Sequence, residues 1–242
     1  MEDALTPDPF DALPRPRRRP QEHGRTPFDG LRPWSAITHG IGAALAILGT
    51  VLLLVKAVIT GADAWKLVSF SIYGASMIGL YTASTLYHSV HTTAAKRIAL
   101  RKYDHASIYF LIAGTYTPVC LTALRGPWGW SMFGIIWVLA IAGLVMTLAW
   151  INCPRWLTST IYIAMGWLAL VAIYPLYLTL GVSGVLWLLS GGILYTIGGV
   201  LYALKWPARD NPRFGCHEIF HVFIVLGSVA HFMMIYHVLL PL

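Results

Sequence analysis

Charge is what this chain of 242 residues has least of. Charged side chains make up 11% of it, against about 25% in an ordinary soluble domain. Meanwhile 57% of its residues are hydrophobic, and the mean hydropathy is +0.66. So little charge excludes a soluble globular enzyme and a disordered protein. At this length it points to one polytopic membrane domain. Cysteine is scarce too. Cys120, Cys153 and Cys216 are too few and too scattered for a disulfide framework, which excludes a disulfide-rich secreted module. Cys120 and Cys153 stand in apolar context and read as packing residues. Cys216 stands beside histidines, where its thiolate would be a soft metal ligand. No repeat of fixed period is visible, and no apolar core follows a short basic start as in a secretory leader. The net charge of +7 would suggest nucleic acid in a soluble protein. Here its meaning depends on where the charges sit.

They sit unevenly. Residues 1–33 hold six of the ten acidic and six of the seventeen basic residues, with Pro14, Pro16 and Pro20 set around Arg15, Arg17, Arg18 and Arg19. This arm has too little apolar content to bury a core and is expected to be disordered. Its arginine run suits either solvent or anionic lipid headgroups. Residues 34–242 form the membrane domain. A transmembrane helix needs about 20 mostly apolar residues. Seven stretches qualify: Ala36–Ile59, Leu67–His88, Ala106–Leu124, Trp128–Trp150, Trp156–Leu180, Val182–Leu204 and Cys216–Leu240. Breakers and charges separate them, including Gly61–Asp63, Lys96–Lys102, Pro154–Arg155, Gly181 and Pro207–Pro212. Trp34, Trp65, Trp128, Trp130, Trp150, Trp156 and Trp206 stand at span ends, as interfacial aromatics do. The predicted fold is all-α, a seven-transmembrane helix bundle.

With seven spans, the arm shares a side with every second loop. That side carries 14 lysines and arginines; the other carries Lys56, Lys66 and Arg125. The excess puts the N-terminus in the cytoplasm and the C-terminus outside. The positive charge is a topology signal, and no nucleic-acid partner is expected.

Ionisable groups inside spans are costly and mark function by default. They are His39, His88, Asp104, His105, His217, Glu218, His221, His231 and His237. The topology brings His88, Asp104, His217 and His221 to similar depth near the cytoplasmic face. His217 and His221 are four residues apart, on one helical face, a spacing that suits two ligands of one tetrahedral Zn²⁺. His88 would supply the third ligand and leave a fourth position for water, whose pKa such a site lowers. Asp104 would accept that water's proton. Ser84, one turn before His88, would hydrogen-bond in the same region. A lone histidine in a helix is usually a hydrogen-bonded interior residue, and His39, His105, His231 and His237 are read so; His91 reads as a loop residue.

His217-Glu218-Ile219-Phe220-His221 is also a literal H-E-x-x-H, the zinc-protease pattern in which Glu218 would be general base. The longer version of that pattern needs glycine at 224 and histidine at 227, where this chain has Ile224 and Gly227. Nor does any acidic residue follow Glu218 to act as a downstream ligand. An intramembrane protease is therefore set aside.

Three segments carry a family resemblance: Ser84-Thr85-Leu86-Tyr87-His88, Tyr103-Asp104-His105-Ala106-Ser107-Ile108, and His217 to His221 followed by Val229-Ala230-His231-Phe232. The chain resembles the bacterial hemolysin III proteins, which belong with the progestin and adipoQ receptors and, more distantly, the alkaline ceramidases. The resemblance covers residues 34–242. It implies seven helices, a cytoplasmic N-terminus, a bacterial plasma-membrane location and a zinc ion near the cytoplasmic side. His88, His217 and His221 would be its ligands, Asp104 would hold or deprotonate the bound water, and Ser84 would stand beside it. The implied function is zinc-dependent hydrolysis of a lipid amide or ester, ceramide-like, with the lipid held between the helices. Two alternatives stay open: a membrane-active cytolysin, and a non-catalytic receptor or lipid-homeostasis protein with structural zinc.

Overall fold

The computed structural model describes residues 30–150, 152–208, 211 and 213–242. Most of the arm, and with it the expectation of disorder there, lies outside the described residues. Within them the regular structure is entirely helical. The elements are α1 (Pro33–Ile59), α2 (Ala64–Ser89), α3 (Ala94–Pro118, continued as a π-helical turn over Val119–Ala123), α4 (Pro127–Ala149), α5 (Arg155–Trp167, continued as a 3₁₀ turn over Leu168–Ala172), α6 (Ile173–Leu204) and α7 (Cys216–Met234, continued as a π-helical turn over Ile235–Leu239).

The helix starts follow capping chemistry. Pro33 and Pro127 stand at the first helical positions of α1 and α4, where the missing N–H would have had no intrahelical partner. The Asp63 carboxylate accepts from the Lys66 N–H at 2.9 Å to open α2. The Thr93 hydroxyl accepts from the Lys96 N–H to open α3. That cap places the start of α3 well before Ala106, so Lys96, Arg97, Arg101 and Lys102 belong to helix rather than to a separator. Arg97 is buried because its guanidinium donates to the carbonyls of Tyr87 and Val90, which lie at the end of α2. Pro118 has no N–H for the helical ladder, and the π-turn follows directly after it.

Six helical stretches are long and apolar enough to cross a membrane among the described residues. The difference from seven lies at Arg155–Leu204, which runs as one stretch of 50 residues. Gly181 interrupts it with φ 65° and ψ −175°, outside helical space and in the left-handed range that glycine tolerates. Trp167 Nε1 donates to Thr196 Oγ1 at 2.8 Å across this break. In a continuous helix those residues would stand about 43 Å apart, so the chain folds back at Gly181 and α5 packs antiparallel against the second half of α6.

The most buried span is the one containing α3, with 67% of its most apolar window inside the protein; the other windows lie between 17% and 50%. It packs between α2 and α4 through missing side chains. A Cβ on Gly114 would lie 2.2 Å from Ser76 Oγ, and one on Gly143 would lie 2.2 Å from the Tyr109 ring. The seven tryptophans expected at span ends are all exposed, as are Ile37, Leu48 and Leu52 on the outward face of α1. At one end of the bundle the start of α1, the end of α2, the start of α3 and the start of α7 converge. There the Arg32 backbone N–H donates to the His88 carbonyl at 3.1 Å, and Lys102 Nζ donates to the Leu148 carbonyl at 2.7 Å. At the other end Arg125 meets Asp63 at 3.3 Å and Lys66 Nζ donates to the Leu240 carbonyl at 3.0 Å.

Candidate metal centre

The converging end gathers the histidines. His88 sits in the last turn of α2, and His217 and His221 in the first turns of α7. Their ligand atoms all lie within 4.8 Å of one another. His88 Nε2 and His217 Nε2 are 3.1 Å apart, near the separation of about 3.4 Å that two nitrogens take on one tetrahedral zinc with bonds of about 2.1 Å. His88 and His221 are each 2% exposed.

The backbone aims these rings. His88 Nδ1 donates to the Gly30 carbonyl at 2.6 Å, and His221 Nδ1 donates to the Ser35 carbonyl at 3.3 Å. A carbonyl only accepts, so both rings carry their proton on Nδ1 and present the Nε2 lone pair. A backbone carbonyl on one ring nitrogen is the usual support of a histidine whose other nitrogen binds a metal. The donor set thus fits a divalent first-row cation with three imidazole ligands.

Ser84 and Asp104 line one cavity together with His217 and His221. Ser84 is 1% exposed, and its Oγ has no hydrogen-bond partner. Its neighbours Thr85 and Ser89 donate to carbonyls one turn back, at 2.7 and 2.6 Å. Ser84 does not, and leaving a buried hydroxyl unpaired costs about 1–3 kcal/mol. Asp104, in the third turn of α3, keeps a carboxylate oxygen 3.7 Å from His105 Nδ1. It is not in the histidine group. Neither is Cys216, which is buried at the start of α7.

Glu218 is committed elsewhere. Its Oε1 accepts from Arg32 Nη1 at 3.1 Å and from Ser35 Oγ at 2.9 Å, and its Oε2 accepts from the Gly215 N–H at 2.9 Å. A carboxylate so occupied ties α1 to the start of α7 and is not poised as the general base of an H-E-x-x-H protease. The sequence reading assigned no role to Glu218, Gly30, Arg32 or Ser35. Only Glu218 left a trace, as an acidic residue in the first turn of a helix after Gly215.

Two histidines depart from expectation. His105 is satisfied, its Nδ1 donating to the Arg101 carbonyl at 2.8 Å. His39 and His231 are not ordinary hydrogen-bonded interior residues. Both ring nitrogens of His39 and Nδ1 of His231 are buried without partners. His39 lies stacked on His221 with ring centroids 3.6 Å apart. Both His39 and His231 line the same cavity as Ser84.

That cavity is long. It is lined from Asp104 to Cys120 along α3, a rise of about 24 Å. Ser84, Asp104, His217 and His221 line its histidine end, and Leu124, Met132 and Leu176 line it at depth.

Comparisons with known proteins agree with this architecture. The family described as "Haemolysin-III related" matches residues 33–232. The chain is 42% identical over 208 residues to Hemolysin-3 of Bacillus cereus, covering 86% of this chain and 91% of that protein. It is 42% identical over 198 residues to the Hemolysin-3 homolog of Bacillus subtilis, covering 82% and 89%. It is 26% identical over 177 residues to the monocyte to macrophage differentiation factor of Homo sapiens, covering 70% of each.

Proposed function

The chain belongs to the haemolysin-III-related family of integral membrane proteins, and on that premise we propose that it is a zinc-dependent hydrolase of a lipid amide or ester. The observation that carries this reading is the trio His88, His217 and His221, two of which, His217 and His221, line a cavity shared with Asp104 and the unpartnered Ser84 hydroxyl. The trio would hold the ion, which when bound supplies Lewis acidity toward a carbonyl oxygen and toward water.

The chain's own residues do the rest. The Gly30 and Ser35 carbonyls fix the His88 and His221 rings. The Ser84 hydroxyl, free to donate, hydrogen-bonds the carbonyl oxygen of the scissile group. Asp104 takes a proton from the attacking water. The water oxygen bonds the carbonyl carbon, the C–N or C–O bond breaks, and Asp104 returns the proton to the leaving group. The apolar length of the cavity holds the acyl chain and excludes bulk water.

The same reading takes the fold as seven membrane crossings in a bacterial plasma membrane, with a cytoplasmic N-terminus and an outer C-terminus. The fold-back at Gly181 supports the count, and the excess of lysine and arginine on the arm's side supports the orientation. The test is turnover in lipid nanodiscs of a ceramide and of an ester lipid, with released fatty acid read by mass spectrometry. Wild type is expected to release fatty acid. His217→Ala is expected to abolish release, and Asp104→Asn to lower it at least about 10²-fold. Wild-type rates in His217→Ala would overturn the reading.

A further inference from the structure

Among the polar groups of the cavity that hydrolysis does not use, His231 lies farthest along α7 from the trio. His231 lies on α7 ten residues beyond His221, a rise of about 15 Å toward the middle of the span. His217, His221, Ile224 and His231 all line the cavity, and their spacing of four, three and seven residues keeps them on one helical face. His231 is 7% exposed, and its Nδ1 has no partner.

Neighbouring polar groups at this depth are satisfied without it. Ser228 Oγ accepts from Tyr81 OH at 2.7 Å and shares a hydrogen bond with Tyr195 OH at 2.9 Å. The imidazole is seated closely against α6, where a glycine leaves room for its ring. A Cβ on Gly191 would lie 2.5 Å from His231 Nε2. The Tyr195 ring, 5.3 Å away and inclined by 33°, holds the plane of the imidazole. A leucine would be cheaper in an apolar span, so the arrangement keeps a hydrogen-bonding group where a hydrocarbon chain would lie.

Resting on the lipid-site reading above, we propose that His231 forms a second polar subsite for a hydroxyl carried partway along the acyl chain of the ligand. A hydroxyl both donates and accepts, so it matches Nδ1 in either tautomer. The ligand class is therefore a lipid with its polar head at the histidine trio and a mid-chain hydroxyl about 15 Å away.

The test uses the full chain in nanodiscs, equilibrated with stearate or with a mid-chain hydroxystearate, and measures retained fatty acid by mass spectrometry. Wild type is expected to retain the hydroxy acid about tenfold better, as one additional hydrogen bond gives. His231→Leu is expected to retain stearate as wild type does and to lose the preference. His231→Asn, which restores a polar atom near the position of Nδ1, is expected to recover part of it. Equal retention of the two acids by wild type, an undiminished preference in His231→Leu, or no retention of either acid by wild type would overturn the proposal. Zinc content and hydrolysis do not enter this readout. His217→Ala, which tests the metal reading, is expected to keep the hydroxyl preference, so failure of either reading shows separately.

Discussion

Ser84 and Glu218 show how differently a buried polar side chain is used when its partners differ. Ser84 Oγ is buried with no partner, whereas both carboxylate oxygens of Glu218 are engaged. Removing an unpaired hydroxyl leaves nothing else unpaired. Ser84→Ala is therefore expected to melt at or above the wild-type temperature while turnover falls about 10²-fold, the usual cost of one hydrogen-bond donor to a developing oxyanion. A matched fall in stability and rate would make Ser84 structural. The closeness of His88, His217 and His221 was legible in the sequence because so few ionisable groups occur in the spans and their depths coincide. His39 and His231 were not legible as unusual, since the sequence shows a histidine but not whether a carbonyl stands one turn away to receive its proton. Gly30 and Ser35 act through backbone carbonyls, which every residue has, and so left no sequence signal.

At the scale of elements, α1 and α7 are joined by the Glu218 carboxylate. Glu218→Ala would leave Ser35 Oγ and the Gly215 N–H without their acceptor, while the half-exposed Arg32 turns to water. The expected loss is about 1–3 kcal/mol of stability. Because the same joint holds the Gly30 and Ser35 carbonyls against the His88 and His221 imidazoles, the proposed zinc affinity is expected to fall about 10-fold or more. Thermal melting and competition with a chelator measure the two effects, and unchanged zinc affinity would separate the joint from the site. Helix contact is just as specific at Gly129, where a Cβ would lie 2.1 Å from the Cys120 carbonyl oxygen. That neighbour is backbone and cannot rotate away, so Gly129→Ala is expected to cost about 1–3 kcal/mol in a melting experiment. Most elements were legible as apolar runs between breakers. The start of α3 was not, because Lys96 to Lys102 look like a loop until the Thr93 cap and the Arg97 contacts with the end of α2 are seen. The break at Gly181 was legible as a breaker, although its fold-back geometry was not.

For the whole molecule, the sparse charge noted in the sequence is an asymmetry between two ends. A phosphatase fused after Leu242 is expected to be active, and one fused after Ala208 inactive; the reverse would refute the orientation. The histidine trio then lies at the arm's end of the bundle, with the cavity running away from it into the hydrocarbon. The all-helical, membrane-spanning class could be read from hydropathy, whereas the cavity could not, since its walls are the same apolar residues that fill a packed bundle. Everything functional rests on the trio holding a cation. The most direct measurement is X-ray absorption at the zinc edge on purified chain, with metal content determined on the same sample. The account predicts stoichiometric zinc in a shell of imidazole nitrogen and oxygen without sulfur, lost in His217→Ala. A sulfur ligand from Cys216, no retained zinc in wild type, or full zinc content in His217→Ala would contradict it.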